Sequence, residues 1–182
     1  MSFCARAQAS RTDVEKLNHS WIKKSRINFQ GTGVQKFDYP PYLNHAGGGT
    51  LGVKKRIHEA IRGFDESIMY LHDTDYCWRI QKMGVKLHFI PEALIHIRFR
   101  HKLGDIYRQS KNYGEYTVLL YKRHRKFGMP KLSWTKRLIF FLGLIKSYFL
   151  IRDMSDLAKF IWNVGWHVGR LKGYINYRVL IF

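Results

Sequence analysis

The stretch Gly63–Asp75, Gly-Phe-Asp-Glu-Ser-Ile-Met-Tyr-Leu-His-Asp-Thr-Asp, decides how the rest of the chain is read. Over 182 residues the chain carries Lys+Arg 32 against Asp+Glu 13, a formal net charge of +19. Four of these few acids, Asp65, Glu66, Asp73 and Asp75, fall inside the one stretch, just before a run that reads as a helix from Tyr76 to Met83. Taken alone they have an ordinary reading. Asp65 serves as a turn former after Gly63, and Asp73 or Asp75 as the N-cap of the helix. Asp75 and Arg79 stand at i,i+4, the spacing of a helix-stabilising pair.

Outward from this stretch, strands and helices alternate. Gly47 to Val53 reads as a Gly-rich strand, where a glycine permits either a bulge or the close approach of a ligand. Lys54 to Arg62 is a short basic helix with Ile57 and Ile61 inward, stopped by Gly63. Phe64 is expected to plug the core while Asp65 and Glu66 face a cleft. On the other side, Val85 to Ile90 is a strand with Val85, Leu87 and Phe89 on one face. After Pro91 a second strand, Ala93 to Arg100, sets Ile95, Ile97 and Phe99 against His96, Arg98 and Arg100. A histidine on the polar face of a strand is ordinarily solvated or hydrogen-bonded.

Four segments in this order, Gly-Gly-Gly-Thr-Leu-Gly-Val-Lys-Lys-Arg, Gly-Phe-Asp-Glu, His-Asp-Thr-Asp-Tyr-Cys-Trp-Arg-Ile and Pro-Glu-Ala-Leu-Ile-His, resemble the acceptor-side half of family 2 glycosyltransferases of GT-A fold. They cover Gly47 to His96, and looser similarity runs from Leu17 to Pro130. The resemblance implies an α/β fold: residues 1–130 form the C-terminal part of a Rossmann-like GT-A domain, and 131–182 a helical tail. It implies transfer of a sugar, with inversion, from a nucleotide-sugar donor to a hydroxyl of a glycan or lipid-linked acceptor. By the same resemblance Asp73 is the general base, and Gly48 and Gly49 lie under the sugar and acceptor. Asp65, Glu66, His72, Asp75 and Arg79 complete the acceptor- and sugar-binding set. His96, with His101 as fallback, would help hold a divalent cation, Mn or Mg, for which imidazole is a competent ligand.

Two features depart from the pattern or compete with it. The family carries Glu where this chain has His72, and a neutral imidazole does not supply that second negative charge. Asp73-Thr74-Asp75 also spells the Asp-x-Asp pattern of metal and diphosphate binding, but that pattern belongs at a strand end in the nucleotide-binding half. Here it follows Gly-Phe-Asp-Glu and opens a helix, as the acceptor-side motif does. No stretch resembles the nucleotide-binding half, so the expectation is a truncated enzyme, whether fragment, remnant or one piece of a split gene, with a separate chain supplying that half.

Composition bounds the remainder. Hydrophobic content of 46% with 15% aromatic supports a packed core. Cys4 and Cys77 lack metal or redox spacing, so no disulfide and a reducing compartment are expected. Met1 to Ser10 has no apolar signal-peptide core. Met1 to Asn44 shows no sustained period and is read as loop and short helix. Asp105 to Phe127 forms one long helix with Ile106, Tyr113, Leu120 and Phe127 at sevens, ended by Gly128 and Pro130. Its aromatic stripe reads as packing, with Tyr107, Tyr113 and Tyr116 able to flank an acceptor.

A net charge of this size calls for an anionic partner: nucleic acid, acidic lipid or nucleotide-sugar. From Lys122 to Phe182, thirteen Lys and Arg stand against Asp153 and Asp156, a net of plus eleven. Leu138 to Ile151 is apolar but short of the about 20 residues a spanning helix needs. Ser155 is expected to cap a second helix with Leu157, Phe160, Ile161, Val164, Val168 and Leu171 on one face. Lys159, Asn163 and Arg170 lie opposite, and Trp162 and Trp166 are interfacial anchors. The pair reads as a basic amphipathic tail on an anionic membrane surface, at the inner face of the cytoplasmic membrane. A helical hairpin packed on its own domain or on a partner stands level with that reading. A second function class is a non-catalytic basic protein that binds anionic membrane or nucleic acid. The acidic cluster argues against nucleic acid, since a polyanion-binding surface gains nothing from it.

Overall fold

The computed structural model describes residues 2–5, 35–38, 41–90, 100, 102–131 and 134–179. The strands are β1 (Ser2–Ala5), β2 (Gln35–Asp38), β3 (Pro41–His45), β4 (Leu51–Gly52) and β5 (Lys86–Phe89). The α-helices are α1 (Lys55–Ala60), α2 (His72–Lys82), α3 (Leu103–His124), α4 (Trp134–Phe149) and α5 (Met154–Tyr177). The described residues are therefore mixed α/β, mostly helical, with a three-stranded sheet and a two-stranded one. It divides into two compact units: Met1–Lys36, Leu43–Asp65 and Asp73–Arg98 form the first, and Phe37–Tyr42, Glu66–His72 and Phe99–Phe182 the second.

In the first unit β1 is the central strand of three, antiparallel to β4 and parallel to β5, with Phe3 opposite Leu87 and Cys4 opposite both His88 and Gly52. The segment before Asn44 thus contains β1, β2 and β3 where loop and short helix are expected. Four- and five-residue strands leave too few alternations to register as a period. The Gly-rich strand is also shorter than its sequence suggests. Gly48–Thr50 is a single 3-10 turn, closed by the Thr50 amide on the Gly47 carbonyl at 2.8 Å, and only Leu51 and Gly52 are extended.

Helix α2 lies at the centre of this unit. Thr74, Asp75, Tyr76, Cys77 and Trp78 are five consecutive buried residues, so the middle of the helix has no exposed face. Tyr76, Cys77 and Ile80 join Ala46, Ile57 and Val85 in the core, with Leu51, Val53, Ile61 and Leu87 packed against it. Burial pushes the Cys77 thiol up to about 12. The helix begins at His72 rather than after Asp75, so neither aspartate is an N-cap; both stand in its first turn. Gly84, at φ 81, ends it: its amide bonds the Gln81 carbonyl, and the Val85 amide bonds that of Ile80. Helix α1 closes the same way, except that Arg62 occupies the left-handed position at φ 59 ahead of Gly63.

Phe64 does not plug the core. It is 40% exposed and stacks on Tyr76 with ring centroids 4.2 Å apart. The strand expected over Ala93–Arg100 lies almost wholly outside the described residues.

The second unit is built on the helices α3, α4 and α5, of 22, 16 and 24 residues. Helix α3 ends in a 3-10 turn, Arg125–Phe127, and Gly128 at φ 90. Leu120 is buried as the heptad spacing requires, but Phe127 is 56% exposed. The buried face instead runs through Ser110, Gly114, Thr117, Val118, Tyr121 and His124.

Helix α5 is capped by Asp153, whose carboxylate accepts from the Asp156 amide at 2.8 Å, and not by Ser155. Its buried residues are Gly165, Gly169, Arg170 and Gly173. The expected apolar face fails at two positions, since Leu171 is exposed and Arg170 is inside, while Leu157, Phe160, Ile161, Val164 and Val168 are half-buried. A Cβ on Gly165 would strike the Ser110 hydroxyl, one on Gly169 the Lys111 carbonyl, and one on Gly114 the Trp166 carbonyl, so α3 and α5 meet backbone to backbone. Arg170 is accommodated by lying over the Trp166 ring at 4.7 Å and donating to the Tyr174 hydroxyl at 2.6 and 3.0 Å. Glu115 crosses the same contact, accepting from Lys172 at 2.9 Å and from Asn176 at 2.8 Å. Trp162 and Trp166 face neighbours within the unit, Tyr113 and Phe140 respectively.

Candidate active site

The site is built where the Gly-rich turn meets the first turn of α2. Asp73 is half-buried there. One of its carboxylate oxygens accepts from the Gly48 amide at 3.0 Å and the other from the Thr74 amide at 2.8 Å. The Thr74 hydroxyl lies 3.4 Å from the latter oxygen. The first bond joins residues 25 apart and ties together two segments that are separate in the sequence. The second satisfies one of the amides that a helix start leaves without an intrahelical partner. Each carboxylate oxygen offers about two lone-pair sites, so this clamp orients Asp73 and leaves it capacity to accept from a further hydroxyl.

The glycines around it have room. A Cβ on Gly48 would come no closer than 3.8 Å to the Asp73 Cβ, and one on Gly49 would meet nothing within 4 Å. Packing among the described residues therefore does not demand glycine at either position. Both are exposed on the turn that carries the amide.

Asp75 is placed differently. Its side chain is 4% exposed, and its carboxylate accepts from Arg79 Nε at 2.8 Å. The remaining guanidinium nitrogens of Arg79 donate to the carbonyls of Ile61 at 2.8 Å and Gly63 at 2.7 Å. The pair thus fastens α2 to the C-terminal turn of α1, where carbonyls lack helical partners. Nearby, His58 Nδ1 lies 2.9 Å from the Tyr76 hydroxyl, a bond that also joins the two helices. Gln81 and Trp78 complete the frame, donating to the carbonyls of Asn44 at 2.7 Å and Leu43 at 2.8 Å.

Of the other expected site residues, Asp65 is half-buried in the first unit, while Glu66 and His72 are exposed and belong to the second. His96 and His101 lie outside the described residues. Among the described residues, no three of His, Cys, Asp and Glu are grouped so as to hold a metal ion. The sequence gives no sign of Thr74 or of the Gly48 amide as partners of Asp73. A bond from a backbone N–H leaves no mark on residue identity, and only the resemblance, which puts Gly48 under the acceptor and Asp73 as its base, points toward it.

No family profile matches the chain, and no solved structure matches it. Two curated proteins do. Over 64 residues, 35% of this chain, it is 34% identical to the pre-mycofactocin glycosyltransferases of Mycobacterium tuberculosis strains CDC 1551 and H37Rv. The matched stretch spans 14% of each relative's length, so the chain is similar, over about a third of itself, to a small part of two glycosyltransferases.

Proposed function

We propose that this chain is the acceptor-side part of an inverting, family 2-like glycosyltransferase of GT-A type, with Asp73 as general base. The observation that carries the reading is the clamp on Asp73: its carboxylate is oriented by the amides of Gly48 and Thr74 at the turn where the resemblance puts the acceptor. Partial identity to two glycosyltransferases supports the reaction class. In this reading the donor is a nucleotide-sugar and the acceptor a hydroxyl of a glycan or lipid-linked molecule. Asp73 takes the hydroxyl proton as that oxygen bonds to the anomeric carbon, and the bond from that carbon to the nucleoside diphosphate breaks on the opposite face.

Gly48 and Gly49 keep the floor of the site free of side chains, and Asp65, Glu66 and His72 belong to the acceptor-binding set through the resemblance alone. Asp75 and Arg79 serve by holding α2, and hence Asp73, against α1. The nucleotide-binding half comes from sequence beyond this chain or from a separate one. A divalent cation held in part by His96 belongs to the proposal through the resemblance alone, since the described residues provide no ligand set, and no step is routed through it.

The test is Asp73→Asn in the enzyme completed by a nucleotide-binding half. Turnover is expected to fall by about 10²–10⁴-fold, the usual worth of general-base catalysis, with donor affinity unchanged. A folded Asp73→Asn enzyme with near-normal turnover would overturn the assignment.

A further inference from the structure

Among the described residues of the second unit, helix α4 carries the most exposed large apolar side chains. Leu138, Leu142, Ile145 and Phe149 recur at i, i+4, i+7 and i+11, one stripe along the helix, and are 44% to 77% exposed. Phe141 and Tyr148 widen it on one flank, at 56% and 59%. Its opposite face, Phe140, Leu144 and Ser147, is half-buried, with Phe140 against Trp166 and His167 of α5. The outward face of α4 therefore has apolar residues where a helix bordering water alone would have polar ones.

Charge says what covers it. From Lys131 to Arg152 there is no Asp or Glu, while Lys131, Lys136, Arg137, Lys146 and Arg152 are basic. Lys131, Lys146 and Arg152 are exposed. Two copies paired through this stripe would bring two wholly basic segments together, whereas an anionic lipid surface accepts both the apolar stripe and the cations. At 16 residues, α4 is about 24 Å long, short of the about 30 Å hydrocarbon core. Among the described residues, no helix is long and apolar enough to cross a membrane.

We infer that α4 lies along an anionic lipid surface with the Leu138–Leu142–Ile145–Phe149 stripe inserted, and that α5 holds it there. This narrows the membrane-facing element to one helix, since the glycine face of α5 is already used against α3. The inference does not depend on the chemistry at Asp73.

The test is cosedimentation of the full chain with vesicles of equimolar phosphatidylglycerol and phosphatidylcholine, and with vesicles of phosphatidylcholine alone. The chain is expected to prefer the anionic vesicles and to lose binding as salt rises, since exposed charges are screened within about 10 Å at 0.1 M. The double variant Leu142→Ser, Phe149→Ser changes two exposed positions and no charge. It is expected to keep its helicity by circular dichroism and lower the partition coefficient about a hundredfold, from the lost apolar burial. Equal binding by wild type and double variant overturns the inference, as does equal binding to the two vesicle types. A lipid-free dimer in sedimentation velocity, abolished by the same double variant, would assign the stripe to a second copy and also overturn it.

Discussion

The two units hold their helices together by opposite means. In the first, long side chains reach from α2 to backbone carbonyls of neighbouring segments: Arg79 to Ile61 and Gly63, Trp78 to Leu43, Gln81 to Asn44. In the second, α3 and α5 approach so closely that glycines at 114, 165, 169 and 173 leave no room for a side chain. Side-chain struts can be removed one at a time and leave a gap with unsatisfied polar groups. A backbone contact can only be forced apart. The helices around Asp73 are thus held by a set of separable bonds, and α3 and α5 chiefly by one close surface to which Glu115 adds bonds with Lys172 and Asn176.

The largest effect expected from this contrast is that of Gly169→Leu. A Cβ there already collides with the Lys111 carbonyl, so α3 and α5 must separate along the contact. A loss above about 4 kcal/mol is expected, in the range reserved for gross overpacking. Segment-resolved hydrogen exchange checks it: protection is lost in α3 and α5 while α2 keeps its own. Loss of protection in α2 to the same extent would mean that the two regions unfold together, and the contrast would fail.

Arg79→Ala is next. It removes three hydrogen bonds and leaves the Asp75 carboxylate, 4% exposed, without its guanidinium. The expected cost is about 3 kcal/mol, the size seen when one partner of a buried pair is deleted. Hydrogen exchange should show it at α1 and α2. Wild-type urea stability in this variant would reduce Arg79 to a surface residue.

Gly143→Ala has the smallest effect and the opposite sign to Gly169→Leu. Gly143 stands within α4 and a Cβ there meets nothing within 4 Å, so helix propensity alone decides. A gain of about 0.5–1 kcal/mol is expected in the unfolding of the second unit. Destabilisation instead would show that Gly143, like the glycines of α5, touches another surface.

Much of the first unit is legible in the sequence because its signals are local. Ile57 and Ile61 at helical spacing with Gly63 behind them predict α1, and the run from Tyr76 to Met83 predicts α2. What escapes is non-local. Strand β1 is found only through its partners β4 and β5, far away along the chain. Asp73 is identified through the family resemblance, but its clamp depends on a backbone amide 25 residues distant. The Asp75–Arg79 pair is visible as i,i+4 spacing, whereas its anchoring to the end of α1 is not.

The tail is where hydrophobicity alone misleads. Leu171 reads as inside and Arg170 as outside, and the fold reverses both. The sequence by itself determines the helices from α1 onward, the glycines behind α1 and α3, and that the C-terminal third is strongly basic, because propensity, glycine stops and charge act within a turn or two of each residue. Only the tertiary structure decides that glycines form the buried face of α5, that Arg170 fills a slot between Trp166 and Tyr174, and that Gly48 orients Asp73. Each of these depends on what a distant segment presents at that point, and a glycine is favoured there for the space it leaves, which hydropathy does not measure.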